Sequence, residues 1–129
     1  MEAFNKLIRN KKTLVFLDLE GTQFSHEIIA IGAVKCKIDE NGKILRGYQK
    51  KFKCYVKPLG CIGRFVQNMT KITEDILKEE GLPLETAFSK FKKFINQPFE
   101  QCAFITFGSN DAKMIIDSIT RSEPKNAFI

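Results

Sequence analysis

Tryptophan is absent from the 129 residues, histidine occurs once, and the four cysteines form no C-x-x-C pair. A structural zinc site needs four closely spaced Cys or His donors, so Cys36, Cys54, Cys61, Cys102 and His26 do not make one. Nothing marks secretion, and the cysteines are expected to be reduced, partly buried small hydrophobes and not a disulfide framework. No apolar run approaches the roughly 20 residues of a spanning helix. Met1 to Asn10 lacks the apolar stretch of a signal peptide; a cytoplasmic location is the resulting expectation. Internal repeats and low-complexity tracts are missing as well.

What is present suffices for one core. The length fits one domain, and 43% hydrophobic residues with 12 Phe exclude a disordered chain. The formal net charge is +6, with lysines concentrated at Lys11-Lys12, Lys50 to Lys53 and Lys90 to Lys93. Such an excess suits a polyanionic partner, because phosphates neutralised by lysine release condensed counterions. The same lysines read equally well as solvated faces of a strand and a helix.

Thr13 to Leu17 is a continuous β-favouring apolar run, the pattern of a strand buried on both faces. Glu27 to Ile38 reads as a second strand, closed by Asn41-Gly42, a hairpin signal. A third strand follows, with Tyr48, Phe52, Cys54 and Val56 on its covered parity and Lys51 and Lys53 on the wet one. Pro58 and two glycines place a loop before Arg64. Thr73 is the expected N-cap of a short helix that stops at Gly81. Pro83 opens an amphipathic helix whose Ala87, Phe88, Phe91, Phe94 and Ile95 recur at helical spacing. Cys102 to Phe107 is a further strand, and Asn110 to about Thr120 a helix capped by Ser109. The order predicts an α/β domain in which antiparallel hairpin strands join a parallel central portion.

Asp18 and Glu20 stand two residues apart where the first strand ends, so both side chains leave the same sheet face. Neighbouring carboxylates repel unless a cation neutralises them. Hard oxygen donors suit Mg2+ or Mn2+, and two such ions about 4 Å apart steady both the attacking and the leaving oxygen in phosphodiester cleavage. Asp111 offers a third ligand from the start of a helix after another strand. Spacing alone leaves the alternative of a solvated strand terminus open, and an acid near a helix start also has a dipole reason.

The ordered set of segments narrows this. Leu14-Val15-Phe16-Leu17-Asp18-Leu19-Glu20-Gly21-Thr22 and Glu27-Ile28-Ile29-Ala30-Ile31-Gly32-Ala33-Val34 resemble the opening of the DEDD 3′-to-5′ exonuclease superfamily. Asn68 to Thr73 resembles its middle segment, and Phe104 to Asp111 its second acidic motif. The resemblance spans about residues 12 to 118 and is closest to the RNA-trimming and histone-mRNA-type branch with a catalytic histidine (DEDDh). It implies a ribonuclease H-like fold, a mixed sheet flanked by helices, with Asp18, Glu20 and Asp111 as catalytic ligands of two Mg2+ or Mn2+ ions. The implied reaction is hydrolysis of the terminal phosphodiester of single-stranded RNA or DNA, releasing nucleoside monophosphates from the 3′ end. Leu19 and Thr22 are implied contacts of the terminal sugar, and Ile72 and Thr73 of the terminal base. Phe24 is a further stacking candidate, although among 12 Phe a core position is the first expectation.

The family's third motif, His or Tyr followed five residues later by Asp, has no counterpart after Asp111. His26 precedes the second strand and is expected to be an exposed turn residue. Residues 1–129 therefore read as one exonuclease domain whose C-terminal part is missing, with turnover depressed accordingly. The alternative is a module that keeps the exonuclease fold and binds nucleic acid without cleaving it. A sheet face left uncovered would also favour self-association.

Overall fold

The structure, a computed structural model, describes residues 11–106. Five strands form one mixed sheet. β1 (Thr13–Gly21) pairs antiparallel with β2 (Ile28–Lys37), and β2 pairs antiparallel with β3 (Lys50–Val56). Two helices follow, α1 (Arg64–Thr70) and α2 (Glu74–Glu80), then the two-residue strand β4 (Gly81–Leu82). Helix α3 (Leu84–Ile95) and a 3-10 turn (Phe99–Gln101) lead into β5 (Cys102–Ile105). The strand order is β4-β3-β2-β1-β5, with β5 parallel to β1 and β4 parallel to β3. This is the α/β architecture the sequence implies, with α1 and β4 added. The expected helix from Asn110 and its Ser109 cap lie outside the described residues.

Alternation along β1 assigns its two faces. Val15, Leu17 and Leu19 enter the larger core, where Phe88, Phe91 and Ile95 of α3 meet them and Val56 joins from β3. Helix α3 thus covers one face through the apolar stripe its spacing announces. Its C-terminus ends on Asn96 in the left-handed conformation. There Lys35 donates from Nζ to the Phe94 and Ile95 carbonyls, answering two acceptors the helix leaves open. Burial lowers the pKa of that ammonium, and Lys50 and Lys37 push it the same way.

The opposite face carries Leu14, Phe16, Asp18 and Glu20. A second core lies on this side, where Ala30, Ile62, Ile72 and Leu77 pack together with Tyr55 and Val66, so α1 and α2 sit over the β2–β3 half. Leu14, Cys36 and Ile38 form a third cluster, with Ala103 and Ile105 of β5 against it.

All four cysteines are free, and burial raises the thiol pKa of Cys36, Cys54 and Cys102. Tyr48 departs from its expected place: β3 begins only at Lys50, and Tyr48 is exposed, its ring beneath the Lys37 ammonium. The Asn41-Gly42 turn does form, tied by Asp39, whose carboxylate accepts from the Asn41 and Lys43 amides. It closes on a single bridge between Ile38 and Ile44 and not on a continuous hairpin. Among the described residues no helix is long and apolar enough to cross a membrane.

Candidate active site

Cross-strand register builds the site. Asp18 stands opposite Gly32 on β2, which in turn stands opposite Lys53 on β3. One step along, Glu20 faces Ala30, and Ala30 faces Tyr55. Each row therefore runs acid, small residue, then a long side chain. The small residues make a floor, the acids one wall, and Lys53 and Tyr55 the other. Thr70, Lys71 and Ile72, at the end of α1, close a cleft of about 260 Å3. A larger hollow of about 570 Å3 shares Asp18, Gly32 and Lys53 with it and continues toward Phe16 and Val34. Asp18 is exposed and Glu20 half-buried, so the first carboxylate stands open to solvent and the second is set deeper.

The pair is positioned by a strand, which is more rigid than a loop, and β1 is held on both sides. Directly after Glu20 the register with β2 shifts, so Gly21 meets Ile28. That irregularity ends the pairing and turns the chain away beyond the acids. On the other side β5 runs parallel to β1 as far as Ile105, opposite Phe16, so both strands leave toward the same sheet end. Asp111, the third acid, lies outside the described residues, and among the described residues no three potential ligands cluster. Two carboxylates on one face, one of them open to solvent, are a donor set that fits a hard divalent ion as part of a larger shell.

The remaining residues drawn from the resemblance take different places. Ile72 is buried and lines the cleft. Thr73 accepts from the Ile76 amide at 3.2 Å and so caps α2, as its position before Glu74-Asp75 suggests. The Leu19 side chain belongs to the opposite core, which leaves its peptide group as the part available to a ligand on the acid face. Thr22 is buried, and its hydroxyl bonds Ser25 Oγ at 2.8 Å and accepts from the Glu27 amide at 3.0 Å. His26 is exposed at a positive φ of 52°, as a turn residue. Phe24 overturns the core expectation: it is 77% exposed, because the turn carrying it projects beyond the end of the β1–β2 pairing.

Glu27 was not apparent as a structural residue from the sequence. It is buried, and its carboxylate accepts from the Leu59 amide at 2.7 Å, the Gly60 amide at 3.1 Å and Ser25 Oγ at 2.8 Å. Gln23 adds to this, its side-chain oxygen accepting from the Phe65 amide at 3.2 Å. Together they fasten the β1–β2 turn to the loop before α1, and hence fix where Thr70 to Ile72 stand relative to the acids. The one available signal was a carboxylate directly before a run of buried aliphatics, whose burial demands partners. Glu27→Ala removes three hydrogen bonds made by a buried carboxylate and is expected to cost about 1–3 kcal/mol. Urea unfolding measures this, and an unchanged midpoint would refute the role.

Lys71 occupies the left-handed region (φ 64°, ψ 11°) as the C-cap of α1. Helices favour Gly or Asn there, and α3 does use Asn96. A lysine in this conformation costs on the order of 1 kcal/mol.

Residues 15–129 match the RNase_T exonuclease family model. No curated protein matches the chain by sequence. Among solved structures, the nuclease domain of 3'hExo, described as a DEDDh family member bound to rAMP, superposes with a TM-score of 0.71 at 19% identity, over 92% of this chain and 62% of that one. A full-length 3'-exonuclease gives 0.68 at 20% identity, over 86% of this chain and 39% of that one. E. coli exonuclease I, in complex with a dT13 oligonucleotide, gives 0.59 at 15% identity, over 84% of this chain and 22% of that one. At these identities the likeness shows the fold, and the chain spans less than two thirds of each of these structures.

Proposed function

The chain belongs to the RNase_T exonuclease family, and from that premise we propose that it acts on the 3′ end of single-stranded nucleic acid, hydrolysing the terminal phosphodiester to release a nucleoside monophosphate. The observation that carries this reading is the pairing of Asp18 and Glu20 on one sheet face, at the wall of a cleft floored by Ala30 and Gly32. Asp18, Glu20 and Asp111 are the residues that would hold Mg2+ or Mn2+. Bound there, the metal supplies an activated water and neutralises charge that develops on the phosphate.

The chain's own residues have separable tasks. Asp18 and Glu20, fixed by β1, set where the reacting phosphate sits. The small floor lets a sugar and phosphate approach the strand backbone, including the Leu19 peptide group. Ile72 offers an apolar wall to the terminal base, and Thr73 holds that wall in place by capping α2. Thr22 acts one step removed, through the turn it braces with Glu27. Phe24, Phe65 and Met69 are exposed and supply apolar surface for the bases that follow. Relatives bound to rAMP and to a dT13 oligonucleotide support this class of ligand.

The test is the release of mononucleotide from a labelled single-stranded RNA and its DNA counterpart, with the label placed at either end. Expected is Mn2+- or Mg2+-dependent release that begins at the 3′ end and is abolished by EDTA. Salt-dependent binding of the same strands without any release would replace this reading with that of a binding module. Neither binding nor release would refute both.

A further inference from the structure

The cleft holds two cationic side chains facing the two acids, and the reading above assigns them nothing. Lys53 enters from β3. Its row partner toward Asp18 is Gly32, so no side chain stands between the lysine and the acid across the width of β2. Its ammonium lies 5.2 Å from the centre of the Tyr55 ring, on the same sheet face, and that aromatic surface steadies an exposed charge at the cleft wall. Lys71 enters from the end of α1. It is held in the left-handed conformation in which a lysine is the unfavourable choice and glycine the favourable one, and it lines the same cleft. Strained backbone that places a charged side chain at a site wall is a recurring mark of function.

We propose that Lys53 and Lys71 form a phosphate clamp: they contact non-bridging oxygens of the phosphodiester and position it against Asp18 and Glu20. The proposal rests on the functional reading above and deepens it. The acids that would hold the metal stand on β1, and the two ammonium groups reach the phosphate from β3 and the end of α1. They bind the substrate directly and hold its phosphate for the acids. The lysine-rich segment Lys90 to Lys93 belongs to α3, which covers the opposite face of the sheet through Ala87, Phe88 and Phe91.

Four versions of the chain test it: the unsubstituted chain, Lys71→Gly alone, a Lys53→Gln/Lys71→Gly double variant, and a Lys90→Gln/Lys92→Gln double variant that removes the same charge from the far face. Binding of a fluorescent single-stranded oligonucleotide with a phosphorothioate 3′ linkage is followed by anisotropy across a salt series. The clamp variant is expected to lose about 0.7 from the slope of log K against log salt, the value for one neutralised phosphate of a single strand. The far-face variant should keep the parent slope. The Lys71→Gly change by itself should also raise the midpoint of thermal unfolding, since glycine relieves the left-handed backbone, so weaker binding cannot be ascribed to a damaged fold. Equal slope losses in both double variants, or none in either, would overturn the clamp and leave the functional reading standing. Absence of binding by the unsubstituted chain would overturn both.

Discussion

The Gly32→Val variant is expected to keep the fold and to lose turnover by about a hundredfold or more, because a displacement of only an ångström at a reacting phosphate has that effect. The two consequences separate cleanly at this residue. Gly32 has no left-handed backbone to protect, and a Cβ built there meets only the Asp18 carbonyl oxygen, at an ordinary 3.5 Å. A glycine inside a strand weakens it by roughly 0.5–1 kcal/mol, so the substitution should raise stability slightly. Yet the new side chain would stand in the row between Asp18 and Lys53, on the floor of both the cleft and the larger hollow. Asp18→Asn is the companion. It removes the charge of a proposed ligand with little change of shape, and should abolish both turnover and the Mn2+-induced rise in unfolding temperature expected of the parent. Gly32→Val should abolish turnover while retaining most of the Mn2+-induced rise, since both acids remain. Single-turnover assays and thermal unfolding with and without metal give the comparison. A Gly32→Val protein that turns over normally would show that substrate does not cross this floor.

Phe91→Ala is expected to have the largest effect on stability, about 3–5 kcal/mol, through lost burial and the cavity left behind. Phe91 is 1% exposed and lies at the junction of α3 with the sheet. Its ring meets Phe52 of β3 at 5.8 Å and 65°, and Phe99 at 6.5 Å and 66°, both edge-on. Such contacts add to burial, and no neighbouring side chain can fill a hole of that size without leaving its own rotamer. Phe65→Ala is the control, because that ring is 60% exposed and its loss should cost under about 0.5 kcal/mol. Denaturant unfolding with a fixed m-value reads both, and similar midpoints for the two variants would contradict the packing described. The pair also tests the separation of the two sheet faces. Phe91 supports β1 from behind the acids, so its loss should reach turnover only through the unfolded fraction.

Much of this was written in local pattern. The apolar run from Thr13 to Leu17 reads as a central strand because its residues must be buried on both faces, and β1 is flanked by β2 and β5. The two-residue spacing of Asp18 and Glu20 puts them on one face by the geometry of any strand. The stripe of Ala87, Phe88, Phe91 and Ile95 names the buried side of α3, and Thr73 names the start of α2. These are short-range facts, fixed by periodicity and by groups that satisfy nearby amides.

Other features had no local signature. Helix α1 buries no residue, so it lacks the apolar periodicity by which helices are read, and β4 has only two residues. The role of Glu27 depends on amides at Leu59 and Gly60, which only the folded chain brings to it. The exposure of Phe24 follows from where the β1–β2 pairing ends. By itself the sequence determined the four longer strands, the main helix, the family and the acids on one face, since each follows from residue types and their spacing along the chain. Tertiary structure alone decided that Gly32 and Ala30 would lie between those acids and Lys53 and Tyr55, and that Lys71 would close the cleft. That arrangement is a matter of register across three strands, and cross-strand register is set by pairings between residues distant in sequence.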